Sequence, residues 1–160
     1  MIQAITETNI GVYIQTEDNR INTSVASTQI RHLIKFTNDL DKSVHYAYPL
    51  AETILDRYTV LIYTYNATPN MYSGQLNLLP AGYWKYEVYE VSWIGTVTVS
   101  SGNAPATEND VLTPAADTKG VVQGLVTKGK MYVSEKDGTE QVQYTQRQEP
   151  SGTNYIYYGQ

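Results

Sequence analysis

At 160 residues the chain has the length of one domain, and a chain of that size removes roughly 70% of its unfolded surface from water, enough for a core without staples. It has no cysteine, which excludes disulfides, thiolate metal sites and a cysteine nucleophile and fits synthesis in a reducing cytoplasm. A net charge of −5, with Lys and Arg scattered rather than striped, repels a phosphate backbone and argues against nucleic acid as a partner.

No apolar run approaches the ~20 residues that span a bilayer, so no membrane partner is expected. The first fifteen residues have neither the basic nor the long apolar region of a secretory signal. Two Asn-x-Ser/Thr strings, at Asn22 and Asn66, then read as chance in a chain rich in Asn and Thr. The aromatic usage is lopsided, with 15 Tyr against 1 Phe and 2 Trp. A buried Tyr needs a partner or a wet edge for its hydroxyl. So many of them imply half-buried surface, either thin sheets and sheet edges or subunit contacts.

Along the chain the pattern is period two, the spacing of strands. Ile10, Val12 and Ile14 alternate with polar neighbours, and Ile30, His32, Ile34 and Phe36 share a face of the next run. Asn38-Asp39 supplies turn chemistry, Val44, Tyr46 and Tyr48 alternate, and Pro49 stops them. The stretch Pro49 to Leu55 is the one place with a weak helical signal, enough for a single turn. Tyr58 to Tyr65 is the most apolar run and reads as a central strand. Asn66 to Asn70 is a turn, and Tyr72 to Leu79 a further strand ending at the turn Pro80-Ala81-Gly82.

The longest strand follows, Tyr83 to Trp93, with Val97 and Val99 as an extension. Trp84, Tyr86 and Val88 point one way; Tyr83, Tyr89, Val91 and Trp93 point the other. Apolar residues on both faces call for cover on both sides, by the core and by a neighbour or partner. From Ser100 to Asp117 the composition turns to Ser, Gly, Asn, Ala, Pro and Thr, an extended linker or long loop. Beyond it Val121 to Ser134 reads as a strand, Asp137-Gly138 as a hairpin turn, Val142 and Tyr144 as its return, and the chain closes on Tyr155, Ile156, Tyr157 and Tyr158. The expected layout is a domain over residues 1–99, a linker over 100–120 and a C-terminal hairpin unit over 121–160. So small a unit has to pack on the first domain or on another chain.

Chemistry has no foothold in this pattern. His32 reads as a core or interface residue and His45 as an exposed one, and neither has a carboxylate neighbour in sequence that would build a metal site. Glu87 and Glu90 fall on opposite faces of a strand, a poor acid–base pair. Asp39 and Asp41 flank a turn, where Asp serves backbone hydrogen bonds. There is no G-x-S-x-G elbow, no phosphate-binding glycine loop and no calcium loop. The expectation is a protein without catalytic residues, metal or cofactor.

Three stretches carry a likeness. They are HLIKFTNDLDKSVHYAYPL (His32 to Leu50), DRYTVLIYTYNATPNMYSGQLNLLPAGYWKYEVYEVSW (Asp56 to Trp93) and KGKMYVSEKDGTEQVQYTQ with TNYIYYG near the C-terminus. In them the chain resembles small virion structural proteins of tailed bacteriophages. The resemblance implies an all-β, Ig-like antiparallel β-sandwich with an extended linker and a C-terminal hairpin arm. It also implies a task of assembly within the virion, made in the host cytoplasm. The first role implied is a capsid auxiliary or decoration protein bound to the major capsid protein. A neck or tail adaptor bound to portal or neck proteins is the alternative, and many copies or a homo-oligomer are expected either way. The contact residues expected are Tyr83, Tyr89 and Trp93 on the long strand with Tyr155, Tyr157 and Tyr158 at the terminus. A third reading, a carbohydrate-binding adhesin module, would stack sugars on Trp84 or Trp93.

Overall fold

The computed structural model describes residues 1–112 and 118–136, and among these the chain is all-β, with no α-helix. The described strands are β1 (Ile2–Ile5), β2 (Ile10–Ile14), β3 (Ile30–Asn38), β4 (Val44–Ala47), β5 (Ala51–Ile54), β6 (Thr59–Tyr65), β7 (Gln75–Leu76), β8 (Gly82–Ser92) and β9 (Val121–Ser134). They build a five-stranded sheet, β1-β9-β8-β3-β4, and a smaller sheet, β2-β6-β5, with β7 joined to β6. Pairing is antiparallel except where β1 meets β9 and β7 meets β6. Among the described residues no helix is long and apolar enough to cross a membrane.

The two sheets pack face to face. Ile34, Phe36, Trp84, Val88 and Met131 of the large sheet meet Ile10, Val12, Leu61 and Tyr63 of the small one in a single core. These are the alternate residues of each strand, as a pleat with one face inward requires. Phe36 and Tyr63 touch edge to face across the gap at 6.1 Å. Trp84 is fully buried and satisfies its indole N–H by donating to the Pro80 carbonyl at 3.1 Å.

A second core lies on the far face of the large sheet, where Leu33, Tyr48, Val91, Trp93 and Ala104 are buried together. Its lid is the chain after Trp93. Val97 and Val99 do not extend β8 but pack on this cluster. Residues 100–112 are likewise no extended linker. The Tyr48 hydroxyl donates to the Pro105 carbonyl at 2.8 Å, Gly120 N–H donates to the Asn103 carbonyl at 2.8 Å, and the Trp93 indole donates to the Thr118 carbonyl at 3.0 Å. A stretch of small residues lies flat on aromatic rings and is held by its own carbonyls. Composition reports only that large apolar side chains are missing; here the sheet beneath supplies them.

Three further expectations are corrected. Residues 121–134 begin no separate unit. β9 runs antiparallel to β8 along its whole length, with irregular register between Val88 and Tyr89 and between Glu90 and Val91, and sits inside the large sheet. The 49–55 stretch forms the edge strand β5 rather than a helical turn, because pairing with β6 outweighs the slight helix preference of Ala, Glu and Leu. The expected strand over Tyr72 to Leu79 shrinks to β7, preceded by a turn at Met71–Ser73 in which the Asn70 side chain accepts Tyr72 N–H at 3.0 Å. The Asp137-Gly138 turn and the return strand at Val142 and Tyr144 lie outside the described residues.

Candidate interaction surface

The outer face of the large sheet divides into a covered half and an open half. In the open half the register sets Tyr83 beside Tyr132, Lys85 beside Lys130 and Glu87 beside Lys128. On the β3 side Thr37 opposes Lys85, and Lys35 opposes Glu87. Tyr83 is 57% exposed, with its ring centroid 5.0 Å from that of Tyr132. Lys85 reaches Asp39 at 3.2 Å. The result is a tyrosine pair bordered by amino groups, on paired strands of the large sheet.

The residues expected to make contacts separate here. Tyr83 stands on this open surface. Tyr89, on the same face, is half-buried at the margin of the lid. Trp93 is corrected: it is wholly buried in the second core, because the chain that follows it folds back over it. Trp84 is equally buried, in the main core, so neither tryptophan offers a platform to a sugar. Tyr155, Tyr157 and Tyr158 lie outside the described residues.

One carboxylate pins the lid to the sheet. Glu108 accepts from Lys35 Nζ at 2.6 Å through one oxygen and from the Tyr46 hydroxyl at 2.6 Å through the other. The bond to Glu108 raises the Lys35 ammonium well above its ordinary pKa against the opposing effect of burial. Burial, then the same carboxylate, pushes the Tyr46 hydroxyl up to about 12. Burial by itself would raise Glu108, but the hydrogen bonds from Lys35 and Tyr46 outweigh it and hold its carboxyl below the usual range.

Between the sheets lies a polar contact that sequence reasoning missed. His32 of β3 meets Glu52 of β5, with Nδ1 2.6 Å from Oε1, and the side chains are 3% and 2% exposed. The other Glu52 oxygen accepts the His32 backbone N–H at 3.2 Å. The β4 ladder ends at Ala47 opposite Ile34, so this N–H lies beyond the last ladder pair and takes a side-chain acceptor instead. Period-two reading of Ala51–Ile54 as a strand would have turned Glu52 inward and exposed the pairing; the helical reading concealed it.

Glu90, opposite His32 in the β8 register, is also buried, and its two oxygens accept the backbone N–H groups of Ile21 and Asn22 at 2.9 and 2.8 Å. Each oxygen of both buried carboxylates accepts from a protein donor, an arrangement that braces strands and a loop. His45 departs from its expected exposure: it is half-buried on the Trp84 ring at 5.7 Å, and burial lowers its pKa. Asp41 accepts from Ser43 N–H and Oγ in its turn, which holds its carboxyl low. Among the described residues no three His, Asp or Glu side chains are grouped to hold a metal ion. No protein-family model, curated protein or solved structure matches the chain, so its function has to be read from these residues and their surroundings.

Proposed function

We propose that the chain is a non-catalytic structural protein of a tailed-phage virion, bound to the capsid surface as an auxiliary or decoration protein. The observation that carries this reading is the open half of the large sheet. There Tyr83, more than half exposed, packs at a tilt against Tyr132 beside Lys85 and Lys130 on paired strands. Tyrosine gives large contact area at low entropy cost, and a backbone already held in strand ladders has little left to order on binding. The amino groups suit an acidic patch on a shell subunit. We read the paired sheets as an Ig-like sandwich, supported by their face-to-face packing and mainly antiparallel ladders.

The test adds the purified chain to particles assembled without it. Wild-type protein is expected to saturate many symmetry-related sites, and Tyr83→Glu to lose occupancy at least tenfold while melting like wild type. Equal occupancy by the two proteins removes this surface from the proposal. Saturation at a single ring of copies at one vertex would replace decoration with the neck or tail adaptor.

A further inference from the structure

On the open half of the large sheet, Lys85 of β8 lies directly opposite Lys130 of β9, with Lys128 two residues away on the same face. Like charges set opposite each other across a ladder destabilise it. Asp39 answers only one of the pair, reaching Lys85 at 3.2 Å. Lys35 is likewise engaged, by Glu108 at 2.6 Å and Glu87 at 3.7 Å. Among the described residues Lys128 and Lys130 have no ion-pair partner, and both are exposed.

These amines border a groove. A cavity of about 480 Å³ opens among Thr37, Lys85, Glu87, Lys128 and Lys130. Its floor is Gly129 and the Tyr86 backbone, because the Tyr86 ring packs inward against the main core. The groove holds three ammonium groups against one carboxylate, and Glu87 already faces Lys35. In a chain of net charge −5 this is a local excess of positive charge, kept although it opposes the ladder beneath it.

We propose that the groove binds a carboxylate side chain carried on a protruding loop of the shell protein. The ammonium groups select an anion, and the surrounding charge selects how that anion is presented. Beyond a Debye length of about 10 Å the chain's net −5 repels a broad acidic face or a phosphate backbone. A single Asp or Glu on a loop comes inside that distance and meets Lys85, Lys128 and Lys130 together. It then neutralises a repulsion already present in the free protein. The preference for an anion follows from the groove's own charges; only the source of the carboxylate rests on the assembly reading.

The probe is a short poly-glutamate peptide, titrated into the intact chain and followed by backbone amide shifts, with poly-glutamine of equal length as control. Wild-type protein is expected to bind it weakly, near about 1 mM, with shifts centred on residues 83–87 and 127–130. Binding should weaken at least threefold as salt rises from about 0.05 to about 0.3 M. The Lys128→Gln and Lys130→Gln double variant should lose these shifts. Lys130→Gln alone should melt level with wild type or above it, because one of two opposed like charges is gone. Shifts that persist in the double variant, equal shifts with poly-glutamine, or a Lys130→Gln protein that melts clearly lower each overturn the proposal. An oligothymidylate of equal charge that binds the groove more tightly overturns it too, reassigning the site to phosphate. Particle occupancy separates the two readings. A double variant that saturates particles like wild type removes the groove's role and leaves decoration standing. Wild-type protein that takes up the peptide but no particles refutes decoration and leaves the groove an anion site.

Discussion

Replacing Glu52 with Ala strips two buried donors of their acceptor, the His32 backbone N–H and the imidazole Nδ1. A buried polar group left unpaired costs about 1–3 kcal/mol, so the two together cost roughly 2–6 kcal/mol, in line with the 3–5 kcal/mol of breaking a buried ion pair from one side. Against a total stability of about 5–15 kcal/mol this is a large share. The His32→Leu and Glu52→Leu double variant should recover much of the loss, because it leaves only the backbone N–H unpaired and fills the inter-sheet gap with apolar atoms. The assay is urea denaturation of wild type, both single variants and the double, analysed as a cycle. A Glu52→Ala cost below about 1 kcal/mol, or single effects that simply add, would refute the claim that this pair joins the sheets.

Other outcomes follow from the second core and from the main core. Trp93→Ala should cost about 3–5 kcal/mol in chemical denaturation, since it empties the space beneath the lid; a surface tryptophan would cost little. A Cβ on Gly120 would come within 2.6 Å of the Trp93 ring, so Gly120→Ala should overpack the same site by about 1–3 kcal/mol, read as a drop in the thermal midpoint. Glu108 has a depressed pKa, so its contribution is present above its unfolded value of about 4.3 and is lost as pH falls through the lower folded value. Tryptophan fluorescence should therefore report loosening of the lid below about pH 4, and Glu108→Gln should show that loosened signal already at neutral pH. Tyr63 is fully buried, and its hydroxyl finds no hydrogen-bond partner among the described residues. Tyr63→Phe should leave stability equal or raise it by about 1 kcal/mol, and a clear loss would mean the hydroxyl is satisfied in solution.

Legibility differed from element to element for physical reasons. β2, β3, β6, β8 and β9 could be read almost to the residue, because each is long or strongly alternating and its pattern is local. β1 and β5 could not. Each has four residues, too few to set a period; β1 is defined by a partner far away in the chain, Met131–Ser134, and β5 by its hairpin pairing with Thr59–Ile62, which the helix-favouring residues around it concealed. Of the contact surface, Tyr83 was visible as an outward tyrosine, while Trp93 on the same face was not visible as buried. The lid that separates their fates consists of residues whose composition signals a loop.

By itself, then, the sequence determined an all-β chain whose long strand is apolar on both faces, along with which residues share each face. Strand alternation is a property of neighbours, and neighbours are written in the sequence. Only the tertiary structure decided what meets those faces. It set Glu52 against His32, laid residues 97–112 over Trp93, and left Tyr83 and the opposed Lys85 and Lys130 open. Contacts between distant segments depend on where loops return the chain, and that is settled by packing and hydrogen bonding of the whole rather than by any local pattern.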